Sequence, residues 1–302
     1  MKDRFYLLPL IALLLAAQAC AFPRIPAMET PASVEIEVIP EINPEPTSTA
    51  QIIETETPPQ EPTKAPFACG TAMVETTAFG VTFCYPGQYS SGYTQARVPE
   101  NPPSDELPIW GVHPDMIELT LTNYPVDNRY HAPIVRIYPV VNLVALDPAF
   151  HSILDDLQSL LTSEDPNPTT IPFVPIFNAA QMMVAQVTYL DFRNGKGVRF
   201  ITQYSQAALP ISNDSAFYAF IGLTDDGAHL ISATLPVTHP LFYEDGMTEP
   251  EEGWPTFTEN FETYLSTTET ELNMQAQDAF FPHLSPLDEM MASFLIPPDI
   301  NP

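Results

Sequence analysis

A turn constrains this chain more than any other feature. Two β-rich runs, Met182 to Phe192 and Val198 to Ala207, flank Arg193-Asn194-Gly195-Lys196. Asn-Gly between such runs is the signature of a hairpin, and it suits a type I′ turn, which needs positive φ at both central positions. Val198, Phe200 and Tyr204 then fall on one face of the second strand, as a two-residue repeat requires. A second pair of runs, Ala216 to Leu223 and His229 to Leu235, flanks Asp225-Asp226-Gly227, a turn by composition. Together they predict four consecutive antiparallel strands.

The remaining elements agree with that plan. Gly80 to Tyr85, Met116 to Tyr124 and Ile134 to Val141 read as further strands. Asp147-Pro148 opens a helix, with Asp147 as N-cap and Pro148 in the first turn. Phe150, Ile153, Leu154, Leu157, Leu160 and Leu161 recur at helical spacing and predict one buried stripe. Residues 163–176 form a proline-rich loop. Thr256-x-x-Glu259 has the form of a capping box, with Phe257, Phe261, Tyr264, Leu265 and Leu272 on one side of the helix it opens. Ser285-Pro286-Leu287-Asp288 starts a last helix whose apolar face is Leu287, Met290, Met291, Phe294 and Leu295. Strands in runs with helices set apart predict an α+β fold: an antiparallel sheet, a meander of hairpins, with helices packed on its faces.

The N-terminal segment has a different character. Met1-Lys2-Asp3-Arg4 is a short, net basic start, Phe5 to Ala17 is apolar, and Ala17-Gln18-Ala19-Cys20 follows. That order is an export signal. Its apolar run of 13 residues is short of the ~20 that span hydrocarbon, and Pro9 interrupts it. The pattern resembles a bacterial lipoprotein signal peptide. The resemblance implies that Cys20 accepts a diacylglycerol thioether and becomes the mature N-terminus, held on the extracytoplasmic face of the cell envelope. The same residues also satisfy an ordinary A-x-A cleavage site, which would leave the chain secreted. Residues 21–66 hold ten prolines, eight glutamates and a single aromatic residue, Phe22. Such a segment buries too little apolar surface to offset the entropy of ordering, and reads as a disordered tether. The expected organisation is a signal peptide at 1–20, a tether at 21–66 and one α+β domain at 67–302.

The chain has three cysteines, Cys20, Cys69 and Cys84. In an oxidising compartment two pair and one is left over. If Cys20 carries lipid, Cys69 and Cys84 remain to form a disulfide; the alternative is two buried free thiols.

Charge narrows the function classes. Residues 67–302 carry 29 Asp and Glu against six Arg and Lys, and no basic residue follows Arg199. A nucleic-acid partner requires a positive footprint, and this body has none. No nucleophile elbow, phosphate-binding or dinucleotide glycine pattern, or H-E-x-x-H motif occurs, and no cofactor is implied. The expected function is therefore a membrane-tethered binding or accessory module without catalysis, meeting an unidentified protein or small molecule. Trp110, Phe173 and Phe177, large apolar groups in proline-rich connections, are the candidate partner contacts. Two alternatives stand beside this. One is a hydrolase using a pair of carboxylates. The other is a weak calcium-dependent binder using Glu244, Asp245 and Glu249 in an acidic loop.

FGVTFCYPGQY, the central meander and the final helix ending in MMASF resemble PsbP-like domains, extracytoplasmic α+β modules. That resemblance implies an accessory or assembly role through binding of proteins or ions. FNAAQMMVAQVTYLDFRNGKGVRFITQY and ISATLPVTHP also resemble uncharacterised domains of bacterial lipoproteins, a likeness that implies no function.

Overall fold

A computed structural model describes residues 67–300, which belong to the compact unit Pro62–Pro302. The export signal, Cys20 and the tether lie outside the described residues. In chain order the structure runs β1 (Met73–Ala78), β2 (Val81–Pro86), β3 (Gly92–Val98), β4 (Met116–Thr122) and β5 (Ile134–Pro139), then α1 (Val140–Leu146) and α2 (Pro148–Ser163). It continues through β6 (Ala180–Gln181), β7 (Ala185–Phe192), β8 (Gly195–Thr202), β9 (Tyr204–Ser205), β10 (Phe217–Thr224) and β11 (His229–Pro236). It closes with α3 (Trp254–Glu259), α4 (Phe261–Asn273) and α5 (Leu284–Ala292).

Seven strands form one sheet in the order β3-β4-β5-β11-β10-β8-β7, every pair antiparallel. The chain builds one edge with β3, β4 and β5, crosses through α1 and α2 to the other edge, and returns through β8 and β10 to close with β11 against β5. The expected α+β meander with covered faces is what forms.

The sheet divides two cores. Along β10 the side chains alternate: Phe217, Ala219 and Ile221 face one core, and Tyr218 and Phe220 face the other. The first core also holds Leu143 of α1, Phe150, Leu154, Leu157 and Leu161 of α2, and Ile171, Phe173 and Val174 of the following loop. The second holds Val81 and Phe83 of β2, Leu272 of α4, and Leu284, Leu287, Met290 and Met291 of α5. The predicted stripe of α2 is thus buried at four positions, with Ile153 and Leu160 half-buried at its margin. Each fully buried Leu or Phe contributes roughly 1.5–3 kcal/mol. Asp147 caps α2 as expected, its carboxylate accepting from Ala149 N at 2.8 Å.

Several local expectations need correction. Phe192 pairs with Gly195, so the two-residue turn between β7 and β8 is Arg193-Asn194, and neither Asn194 nor Gly195 has positive φ. The turn is not type I′. Asn194 is used differently: its amide nitrogen donates to Ile296 O at 2.6 Å and its Oδ1 accepts from Ile296 N at 3.1 Å, clasping the C-terminal segment. Two consecutive positive φ values occur instead at Phe79 (50°) and Gly80 (91°), which join β1 to β2. Gly195 and Gly197 answer to packing. A Cβ on either would collide with the ring of Phe192 or Phe220 and with a carbonyl of β10.

The β-rich run Ile134 to Val141 breaks at Pro139, and Val140–Leu146 coils into α1, pulled inward by the fully buried Leu143. The Thr256–Glu259 capping box does not form. The helix starts earlier, at Trp254 after Gly253, no side chain caps it, and a break at Asn260 separates α3 from α4. The last helix likewise starts one residue before Ser285 and has no side-chain cap.

Candidate functional site

An aromatic-lined concavity lies at one end of the sheet and has a volume of about 460 Å³. Five separate segments line it. The β4–β5 connection supplies Arg129, Tyr130 and His131; the approach to β6 supplies Phe177 to Ala179; β9 and the turn after it supply Tyr204 to Leu209. Asp214 and Ser215 precede β10, and Gly246 and Met247 close the rim.

Local hydrogen bonds set each wall. Asn128 Oδ1 accepts from Tyr130 N at 3.0 Å and His131 N at 2.9 Å, and its amide nitrogen donates to Ala216 O at 3.2 Å. Arg129 N donates to Asp214 O at 2.9 Å. The loop carrying Arg129, Tyr130 and His131 is therefore pinned to the start of β10. On the facing wall, Gln181 Oε1 accepts from Ile171 N at 2.9 Å, and Gln181 Nε2 donates to the Tyr204 hydroxyl at 2.8 Å. This clamps the 171–177 loop against β9.

The wall is aromatic. Tyr204 and Phe177 lie 4.5 Å apart by ring centroids, and both pack over Phe217. His131 sits 4.3 Å from the Phe217 ring and 5.3 Å from that of Phe177. Burial pushes the His131 imidazole down to about 4, with the Arg136 charge acting in the same direction, so it is neutral at pH 7. Burial likewise raises the Tyr204 phenol, which keeps its proton. Asp214 is the one carboxylate in the lining, and its Oδ1 accepts from the hydroxyls of Ser212 at 2.7 Å and Ser215 at 2.8 Å. A nucleophile–base relay requires a serine hydroxyl bonded to the imidazole. Ser212 and Ser215 donate to Asp214 instead, Ser205 donates to Ala207 O at 2.8 Å, and a pair of carboxylates does not meet in this cavity.

The candidates read from sequence separate here. Phe173 is only 6% exposed; it stacks on Phe177 and packs edge-on to Phe200 beneath α2. It is a core residue: the proline-rich loop folds down onto the sheet because its apolar groups gain more from burial than from solvent. Phe177, one register further, is half-buried and forms cavity wall. Trp110 is 47% exposed on a 3-10 turn, Ile109–Gly111, and does not line the cavity.

Among the described residues no three His, Cys, Asp or Glu groups gather to hold a metal ion. Glu244, Asp245 and Glu249 form no such cluster; Asp245 accepts from Met247 N at 2.8 Å and Thr248 Oγ1 at 3.2 Å within its own turn. What this loop adds to the site is Gly246 and Met247 at the rim. Cys69 and Cys84 form a disulfide, with Cα atoms 6.1 Å apart. Among the described residues no helix is long and apolar enough to cross a membrane.

Arg129, His131 and Tyr204 were not singled out by sequence as site residues. Tyr204 carried a signal, its place on one strand face with Val198 and Phe200, but that signal is the same for core and for cavity wall. Arg129 and His131 lie in an irregular connection with no periodicity to read.

The described residues form an α+β fold whose seven-stranded antiparallel sheet is covered on both faces. No family model matches the chain, and no curated protein matches it. Among solved structures, it is similar to the solution structure of cyanobacterial PsbP (CyanoP) from Synechocystis sp. PCC 6803. The identity is 12%, the match covers 71% of this chain and 96% of that one, and the TM-score is 0.24. The likeness to PsbP is weak.

Proposed function

We propose that this chain is a membrane-tethered, extracytoplasmic binding protein without catalytic activity, and that the cavity at the end of its sheet is where it holds a small organic ligand. One observation carries the reading: an aromatic-walled cavity of about 460 Å³, braced on both sides by part-buried hydrogen bonds. Ligand pockets typically fall between ~300 and 1,000 Å³ and combine apolar walls with a few polar groups. The lone carboxylate, already bonded to two serines, supports binding over hydrolysis. The tethered address rests on the export signal and on Cys20.

Native mass spectrometry of the chain purified from its own envelope tests the cavity. Wild type is expected to retain a low-mass ligand that Ala179→Trp, which fills the cavity, lacks. Identical masses on both would sink this reading. Mass spectrometry of the mature N-terminus tests the address, with diacylglycerol on Cys20 expected and an unmodified Cys20 indicating secretion without an anchor.

A further inference from the structure

We infer that the cavity takes an organic anion: an acidic head group held by Arg129, on an aromatic or planar apolar body packed against Phe177, Tyr204 and His131. This rests on the cavity being a binding site, as proposed above, and adds the chemical class of its ligand.

The argument begins with the scarcity of positive charge. Residues 67–302 contain six basic residues against 29 acids. Arg136, Lys196 and Arg199 are paired with Glu118, Glu164 and Asp288. Arg129 is not: among the described residues no carboxylate lies within 4.0 Å of its guanidinium, and its side chain makes no hydrogen bond. Its one contact of note is with the Tyr130 ring, at 5.6 Å from the centroid. A guanidinium stacked in this way keeps its planar fork of donors available for two-point recognition of a carboxylate or similar oxyanion.

Its position is built. The backbone on either side is fixed by Asn128 and by the Asp214 carbonyl, which sets Arg129 in the cavity lining. The other charge in the wall, Asp214, has an oxygen occupied by two hydroxyl donors. His131 adds no charge at neutral pH. Arg129 is the cationic side chain of the lining, set beside three aromatic rings.

The net negative charge of the body acts against an anion at long range. That field is screened over ~8–10 Å at physiological salt, whereas a guanidinium–oxyanion contact works at ~2.8 Å. The contact decides affinity, and the field lowers the association rate. The competing ligand class is an organic cation held on the aromatic faces. Arg129 at the mouth repels such a ligand.

Calorimetric titration of the purified full chain with three probes sharing one body separates these classes, with matched blank solutions subtracted. The probes are 2-naphthoate, 2-naphthylmethanol and 2-naphthylmethylamine: anion, neutral and cation. Wild type is expected to bind the carboxylate at least ~10-fold more tightly than the alcohol. Arg129→Gln, at an exposed position, is expected to erase that preference while leaving the alcohol unchanged. Arg97→Gln removes an equal charge from β3 and is expected to change neither. A preference for the amine or the alcohol, or an unchanged preference in Arg129→Gln, overturns the anion class. In that event the cavity reading stands if Ala179→Trp abolishes binding of all three probes. If no probe binds, or all bind Ala179→Trp as they bind wild type, the cavity reading fails and this inference falls with it.

Discussion

Arg199 of β8 grips both carboxylate oxygens of Asp288 on α5, from Nε at 3.0 Å and from its terminal nitrogen at 2.9 Å. Arg199 is fully buried and faces the same core as Phe220 and Met290. Tyr218 donates to the same Asp288 oxygen at 2.9 Å, and the remaining arm of Arg199 donates to the Gln186 carbonyl. A sheet strand and the last helix are thereby joined by a fully bonded charge network inside an apolar layer. Such a network is costly to half-remove, because the surviving charge stays buried without its partner.

Arg199→Met is therefore expected to destabilise the fold by about 3–5 kcal/mol, and Asp288→Leu by a similar amount. The double variant replaces both charges with apolar groups and is expected to recover most of that loss. Urea denaturation reads all three. A double variant no more stable than the weaker single one would contradict the account of a coupled pair.

Phe173 and Trp110 look alike as aromatic residues in proline-rich connections, yet their burial differs. Phe173→Ala empties a site packed against Phe177, Phe200 and Phe217 and is expected to cost about 3–5 kcal/mol. Trp110→Ala is expected to change stability by less than about 0.5 kcal/mol. Chemical denaturation midpoints give the comparison, and equal effects would refute the assignment of Phe173 to the core.

Gly197 faces Phe220 and the Ile221 carbonyl, which a Cβ would approach to 2.6 Å. The carbonyl belongs to the paired strand and has little freedom to shift. Gly197→Ala is expected to lower stability by about 1–3 kcal/mol despite the gain in strand propensity. Thermal unfolding of the variant checks this, and a rise in melting temperature would count against it.

The folded-state pKa of His131 lies at about 4, below its ordinary 6.5. As pH falls, the unfolded chain takes up the proton first, so this group penalises folding increasingly between about 6.5 and 4. The penalty is absent above that window and reaches up to ~3 kcal/mol below it. His131→Gln removes the slope. Stability of wild type is expected to fall further than that of His131→Gln between pH 7 and pH 4, and parallel curves would show that the imidazole titrates alike in both states.

Local patterns carried the elements whose stabilising contacts lie within a turn or across a hairpin. The stripe of α2 and the Asp147 cap were legible because period and cap chemistry are written in adjacent residues. The strands β8, β10 and β11 were legible from their β-rich runs and the turns between them. Where a distant segment decides, the pattern misled. Asn194-Gly195 has the composition of a type I′ turn, but Asn194 holds Ile296, about a hundred residues away, and Gly195 makes room for Phe192. Val140 and Val141 have strand propensity, but Leu143 reaches the core only if the chain coils.

By itself, then, the sequence determined an acidic body and an antiparallel sheet with helices on its faces. These depend on composition and on short-range periodicity. Only the tertiary structure decided which aromatic residues are core and which are wall. It buried Phe173, left Phe177 and Tyr204 facing a cavity, and brought Arg129 to the mouth of that cavity. The cavity is drawn from five segments between residues 129 and 247, and sites of that kind exist only where strand ends converge in space.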